Sequence, residues 1–185
     1  MLERTNSFSF GFKSNNMRKS IETILKQYSF NTRLFKNVLE GINDEESTKR
    51  LTDNINHLRW IAGHLTMGRY RNIMRTGLQA EVYPHIDKFI KKDTPPPNAV
   101  ALDVNMVYPS LEESMRHWNM YSEVLENGIP TLSEDALAAE TPFRTIMGGN
   151  TVLDALEFVA MHEQYHIGQM SVIRRALGHS AMSFM

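Results

Sequence analysis

Apolar residues recur every three or four positions along four stretches of the chain, the spacing of helices that turn one face to a core. Ile21, Ile24, Leu25, Tyr28, Leu34, Phe35 and Val38 mark the first, predicted over 17–41 and stopped by Gly41. Leu58, Ile61 or Ala62, and Leu65 mark a second over 53–76. The third, 110–127, opens on Ser110-Leu111-Glu112-Glu113, the lettering of a capping box, and ends at Asn127-Gly128. The fourth, 151–177, has Thr151 as N-cap, Arg174 and Arg175 in a final turn whose dipole favours cations, and Gly178 just beyond.

Asp93-Thr94-Pro95-Pro96-Pro97-Asn98 separates the second and third helices; its prolines cannot continue a helix and favour an extended path. A connection this long suits two sequential helices that run parallel. The stretch 129–149, with Pro130, Pro142, Gly148 and Gly149, reads as a loop with a short helix near 133–139, an irregular segment suited to roofing a site. The chain shows no internal repeat, low-complexity tract or second domain. The expected fold is all-α, a four-helix bundle with a long crossover between helices 2 and 3, forming one domain over 1–185.

The fourth helix carries the most specific chemistry, His162-Glu163-Gln164-Tyr165-His166-Ile167-Gly168-Gln169. Residues i and i+4 lie one above the other on a helix, so both imidazoles can reach one metal ion. The lettering is also that of a zinc protease, in which the Glu between the ligands is the general base. That reading fails for want of a third ligand. Proteases of the Met-turn type need Gly and His where this chain has Gln169 and Val172, and no acidic residue follows Glu163 to serve the other type.

Upstream, His64 in Trp60-Ile61-Ala62-Gly63-His64-Leu65 supplies a third imidazole from a facing helix. Three histidines leave coordination positions open, which distinguishes a catalytic metal site from a closed structural one. His57 is the rival, seven residues earlier and so near the same stripe; His64 is preferred because Gly63 and Gly68 beside it allow a neighbouring helix to approach closely.

With Trp60–Leu65 on the second helix, Thr151-Val152-Leu153-Asp154-Ala155-Leu156 opening the last, and the His162–Gln169 segment within it, the chain resembles the DinB/YfiT-like metalloenzymes. Asn31-Thr32-Arg33-Leu34-Phe35 running into Gly41-Ile42-Asn43-Asp44-Glu45-Glu46 adds a weaker likeness. The resemblance spans most of the chain. It implies a four-helix bundle, commonly a homodimer, with a divalent metal at His64, His162 and His166; zinc and nickel are both common in that family, and manganese or iron are further candidates. Some relatives are S-transferases or isomerases that use a low-molecular-weight thiol such as bacillithiol or mycothiol. The proline-rich segment and 129–149 match no motif of the family.

Composition narrows the chemistry. A formal net charge of −1 over 185 residues gives no electrostatic reason to expect nucleic acid or an anionic membrane as partner. There is no cysteine, so disulfides, thiolate ligands and a Cys nucleophile are excluded together, and any thiol chemistry must use an external thiol. No stretch approaches the roughly 18 apolar residues of a membrane span, and Met1-Leu2-Glu3-Arg4-Thr5-Asn6-Ser7 lacks the apolar run of a signal peptide, so a cytoplasmic location is expected.

The remaining polar and aromatic positions have plainer readings beside functional ones. Gln169, one turn past His166, is expected to orient that ring or touch substrate, or else to cap a buried polar pocket. Glu163 sits about 100° around the helix from His162, a position suited to a solvated or ring-supporting carboxylate and less to a general base. Trp60 and Trp118 are expected to fill core or line a pocket, and the 12 methionines to fill core. Tyr165 suits either a partner subunit or the pocket. Arg69 and Arg71 read as a solvated face by default, with attraction of an anionic substrate as the alternative, and His85, His117 and His179 as surface, core or helix-end residues.

Three neutral imidazoles and a divalent ion supply Lewis acidity, which brings a water to a pKa of about 7 and deprotonates a thiol outright. The first functional expectation is a transferase that presents the sulfur of a small thiol to an electrophile. The alternatives are a metal-dependent hydrolase of a small ester or amide, with Glu163 or Gln169 orienting water, and a non-catalytic bundle that binds metal or a small ligand.

Overall fold

The long helices form where the apolar period predicts them, and their ends are set by capping groups. The computed structural model describes residues 6–91 and 100–184, with side chains from residue 17 onward. Helix α1 spans Asn6–Leu39, α2 Leu58–Thr76, α3 Leu111–Gly128, α4 Glu134–Ala138 and α5 Val152–Ala176. Among the described residues there is no β-strand, and no helix is long and apolar enough to cross a membrane.

Two boundaries depart from the expectation. Helix α1 starts eleven residues earlier than 17, because Phe8, Phe10 and Phe12 alternate with a period of two and give no helical pattern, while no proline interrupts 6–39. Helix α2 starts at Leu58 rather than 53. His57 is its N-cap, with extended backbone and Nδ1 accepting from the Trp60 N–H at 3.0 Å. The preceding residues form bends and turns, for which Asn54 and Asn56 are suited.

Other ends follow the expected signals. Gly41, Gly77 and Gly178 adopt the left-handed conformation just past α1, α2 and α5. Thr151 caps α5 in a reciprocal box with Asp154. Ser110 caps α3 by accepting from the Glu113 N–H at 3.0 Å, while the Glu113 carboxylate meets His85 Nε2 at 2.6 Å. The short helix expected near 133–139 is α4, capped by Ser133.

The four long helices enclose one core in the cyclic order α1, α5, α2, α3. Paired contacts fix their directions. Thr66 with Ser114, Arg69 with Ser122 and Leu78 with Gly128 ascend together, so α2 and α3 are parallel neighbours. Asn31 with Ala160 and Arg174 with Val38 give the same relation between α1 and α5. The pairs Arg69–Glu163 and Asn72–Ala155 run oppositely, making α2 antiparallel to α5. The proline-rich segment 93–98, expected to form the extended crossover from α2 to α3, lies outside the described residues.

Helix α2 is buried around most of its circumference, which places its polar residues inside the protein. At the centre Phe35 stacks on Trp118 with ring centroids 4.0 Å apart. The Arg69 guanidinium lies over the Trp118 ring at 3.5 Å. Segment 139–151 folds back on itself through Thr141 N–H to Asn150 O at 2.7 Å and is tied to the start of α5 by Val152 N–H to Ala139 O at 3.0 Å. This brings Phe143 against Phe158, centroids 5.7 Å apart, over one end of the cleft described below.

Candidate metal centre

Helix α2 brings His64 opposite His162 and His166 of α5, and the three Nε2 edges converge. His162 Nε2 lies 3.3 Å from His64 Nε2 and 3.1 Å from His166 Nε2, and one nitrogen from each ring falls within 4.8 Å of the other two. Two nitrogens each about 2.1 Å from a shared ion and about 100° apart stand about 3.2 Å from each other, so the set fits a single divalent cation. Nitrogen lone pairs aimed at one another repel unless a proton or cation lies between them.

Each ring is held from behind or from the side. Trp60, one turn before His64, stacks on it at 4.8 Å with 10° between planes. Gln169 Oε1 lies 2.7 Å from His166 Nδ1, which puts the proton on that nitrogen and leaves Nε2 bare for a ligand. His64 Nδ1 is buried with no hydrogen-bond partner among the described residues. Phe158 stacks on His162 at 5.6 Å.

Burial holds all three imidazoles in the neutral, ligating form. His64 is lowered well below the ordinary range by desolvation, with His162, His166 and Arg71 adding to the effect. His162 is pushed down to about 4 by burial and by His166. His166 is lowered by burial, and its bond to Gln169 opposes the shift.

Glu163 does not stand where a general base is needed. Its side chain is 1 % exposed, and its two oxygens accept from Arg69 Nε at 2.8 Å and Nη2 at 3.0 Å, with Asn31 Nδ2 adding a third bond at 3.0 Å. The 100° rotation from His162 carries it into the core, so the solvated reading is corrected to a buried ionic support. Arg69 is likewise neither solvated nor directed at substrate. It is fully buried and also donates to Thr32 Oγ1, Ser122 Oγ and the Tyr28 carbonyl. The sequence carried a cue: Ala62, Leu65, Arg69 and Ile73 share one helical stripe, and the other three are core residues.

The case for His57 as rival ligand is also corrected. It lies outside α2, so helical spacing does not bring it under His64, and its Nδ1 is already occupied by the cap. The glycines next to His64 act differently from the expected close helix approach. A Cβ on Gly63 would stand 2.3 Å from the Phe89 ring, so the space is taken by a loop aromatic, whereas Gly68 faces open room. Trp118 and His117 are core, and His85 and His179 pair with Glu113 and Glu46.

A small solvent-connected cleft of ≈ 110 Å³ opens beside the cluster, with His64 and His162 on its wall. Met67, Ile90, Phe143 and Phe158 make it largely apolar, and Arg71 and Arg75 are its charged groups. Ile90, Phe143 and Arg75 were not identified as site residues from the sequence; the first two come from irregular segments whose path no periodicity reports.

A family model described as the DinB superfamily matches residues 27–170, from within α1 to Met170, four residues beyond His166. The chain belongs to the DinB superfamily. The matched span contains His64, His162, His166 and Gln169 together with the whole of α2 and α3. No curated protein matches this DinB-superfamily chain.

Proposed function

We propose that this DinB-superfamily chain is a divalent-metal-dependent thiol S-transferase acting on a small molecule, with His64, His162 and His166 as protein ligands. The observation that carries the reading is the convergence of three neutral imidazole nitrogens from two helices beside an open cleft. Three imidazoles suit zinc or nickel and leave positions for an incoming group. A divalent ion held there would deprotonate a low-molecular-weight thiol without assistance from a protein base.

The cleft's own side chains favour this over hydrolysis. Among the described residues, no carboxylate lines it, and Glu163 is committed to Arg69. Hydrolysis of an ester or amide needs water oriented and a leaving group protonated, and among the described residues lining the cleft no acid or base is positioned for that proton transfer. A thiol that is already anionic needs neither a protein base nor an internal cysteine. Phe143, Phe158 and Met67 exclude water from around the sulfur and accept an apolar electrophile, while Gln169 keeps His166 in its ligating tautomer.

The test is conjugation of small thiols, bacillithiol and mycothiol among them, to a panel of electrophiles by zinc- and nickel-loaded protein. Product formation that requires metal and is lost in His64→Ala supports the proposal. Turnover of esters or amides without thiol would favour the hydrolase, and metal-dependent stabilisation without any turnover would favour a non-catalytic binding bundle.

A further inference from the structure

Two half-buried guanidiniums face the same cleft as the histidines. Arg71 and Arg75 are one helical turn apart on α2, and both line the wall that His64 and His162 also line. Arg75 is fixed in place: Nη1 donates to Asn72 Oδ1 at 2.7 Å, and Cζ lies 4.2 Å over the Phe143 ring. Asn72 is itself buried and anchored to Tyr28 Oη at 2.7 Å. Neither arginine has a carboxylate partner among the described residues, and Gly68, one turn before Arg75's neighbour Arg71, leaves the space in front of them open.

The charge in this cleft is out of balance in one direction. The three imidazoles are neutral ligands, so a divalent ion would add two positive charges to the two of the arginines, with no acidic side chain among the described residues of the wall to offset them. Burial lowers the pKa of both guanidiniums, and Arg71 adds to the shift of Arg75, so each already bears a cost that a bound anion would remove. Arginine forks match the planar oxygens of carboxylates and the oxygens of phosphates.

Building on the metal-centre reading above, we infer that Arg71 and Arg75 form an oxyanion subsite, so that the ligand of this site carries a carboxylate or phosphate group beside the group that meets the metal. Phe143, which Arg75 covers, and Phe158, which stacks on His162, line the same small cleft with these two polar anchors and select a short carbon skeleton. The substrate class is thus a small acidic thiol, and neutral analogues bind poorly.

The experiment measures binding by calorimetry, with two sets of probes. Zinc-loaded protein is titrated with 3-mercaptopropionate and with 1-propanethiol; metal-free protein is titrated with succinate and with inorganic phosphate. The expected result is that the carboxylated thiol binds at least about tenfold tighter than the neutral one, the scale of one charge-assisted hydrogen bond. That preference falls away in Arg71→Gln and Arg75→Gln, while zinc stoichiometry and the thermal midpoint stay at parent values. Equal binding of the two thiols, or a preference that survives both substitutions, overturns the inference. If the protein takes up no zinc, the metal-centre reading fails by itself. The metal-free arm then decides: succinate or phosphate binding lost in the arginine variants upholds the oxyanion subsite and identifies which anion it takes, and no binding of either overturns it.

Discussion

Arg69 and Glu163 meet in a two-point ion pair, Nε to Oε1 at 2.8 Å and Nη2 to Oε2 at 3.0 Å, with side chains 0 % and 1 % exposed. The pair ties α2 to α5 one residue away from His162, and its hydrogen bonds extend through Asn31 and Thr32 to α1 and through Ser122 to α3. All four long helices are therefore joined through one buried polar centre. Removing one partner leaves the other charge buried and uncompensated, which costs about 3–5 kcal/mol. Glu163→Ala is expected to lose that much in urea unfolding; a loss below about 1 kcal/mol would contradict the structural role assigned to it.

Gln169 is expected to act through His166 rather than on substrate. Gln169→Ala removes the acceptor that fixes the ring's tautomer, and groups of this kind typically contribute about 10- to 100-fold in metal affinity. A chelator competition measured against the parent protein checks this. Unchanged affinity with unchanged stability would place Gln169 outside the centre.

Gly63 and Gly68 flank His64 and should respond oppositely to the same substitution. A methyl on Gly63 meets Phe89 Cζ at 2.3 Å, and since that ring is itself buried, Gly63→Ala is expected to cost about 1–3 kcal/mol of overpacking. Gly68→Ala meets nothing within 4 Å and, with alanine the better helix former, should be neutral or slightly stabilising. Thermal midpoints of the two variants measured side by side suffice, and equal shifts would contradict the packing described.

The metal-free protein should lose stability in mild acid. Burial pushes His57 from 6.5 down to about 4, and His162 likewise from 6.5 to about 4. Between these values the unfolded chain binds the proton and the folded one does not, so stability is full above about pH 6.5 and falls as the pH drops toward 4. The shifts of His64 and His166 have the same sign. His57→Asn retains a good N-cap and removes one of these protons, so its urea midpoint should fall less steeply over that window. A parent midpoint that is flat from pH 7 to 4 would contradict the burial of these rings.

The fold was legible in the sequence wherever one face of a helix is buried and its period shows, as at Tyr28, Phe35 and Val38 of α1, or where a cap is spelled by type, as at Thr151 and Gly178. The start of α1 was not, because Phe8, Phe10 and Phe12 alternate with a period of two rather than a helical one. Nor was the start of α2, because histidine is not a usual N-cap residue and His57 acts as one through Nδ1. The three histidines were legible because helical spacing places two of them and the Trp60–Leu65 context points to the third. The fate of Glu163 turned on whether one position faced the cleft or the core, and its partner lies 94 residues away. Phe143 and Ile90 reach the cleft from irregular segments, which leave no periodic trace. Arg75 follows Arg71 by one turn of α2, a spacing that becomes informative only once the cleft is known.

The most direct test of the metal centre is metal content per chain, by elemental analysis of protein purified without an affinity tag, beside His64→Ala, His162→Ala and His166→Ala. The expected result is close to one divalent ion per chain in the parent and its loss in each variant, with the parent's thermal midpoint rising on metal addition. No metal after reconstitution with zinc, nickel, manganese and iron, or metal retained undiminished in the variants, would contradict the account and reduce the three histidines to a packing cluster.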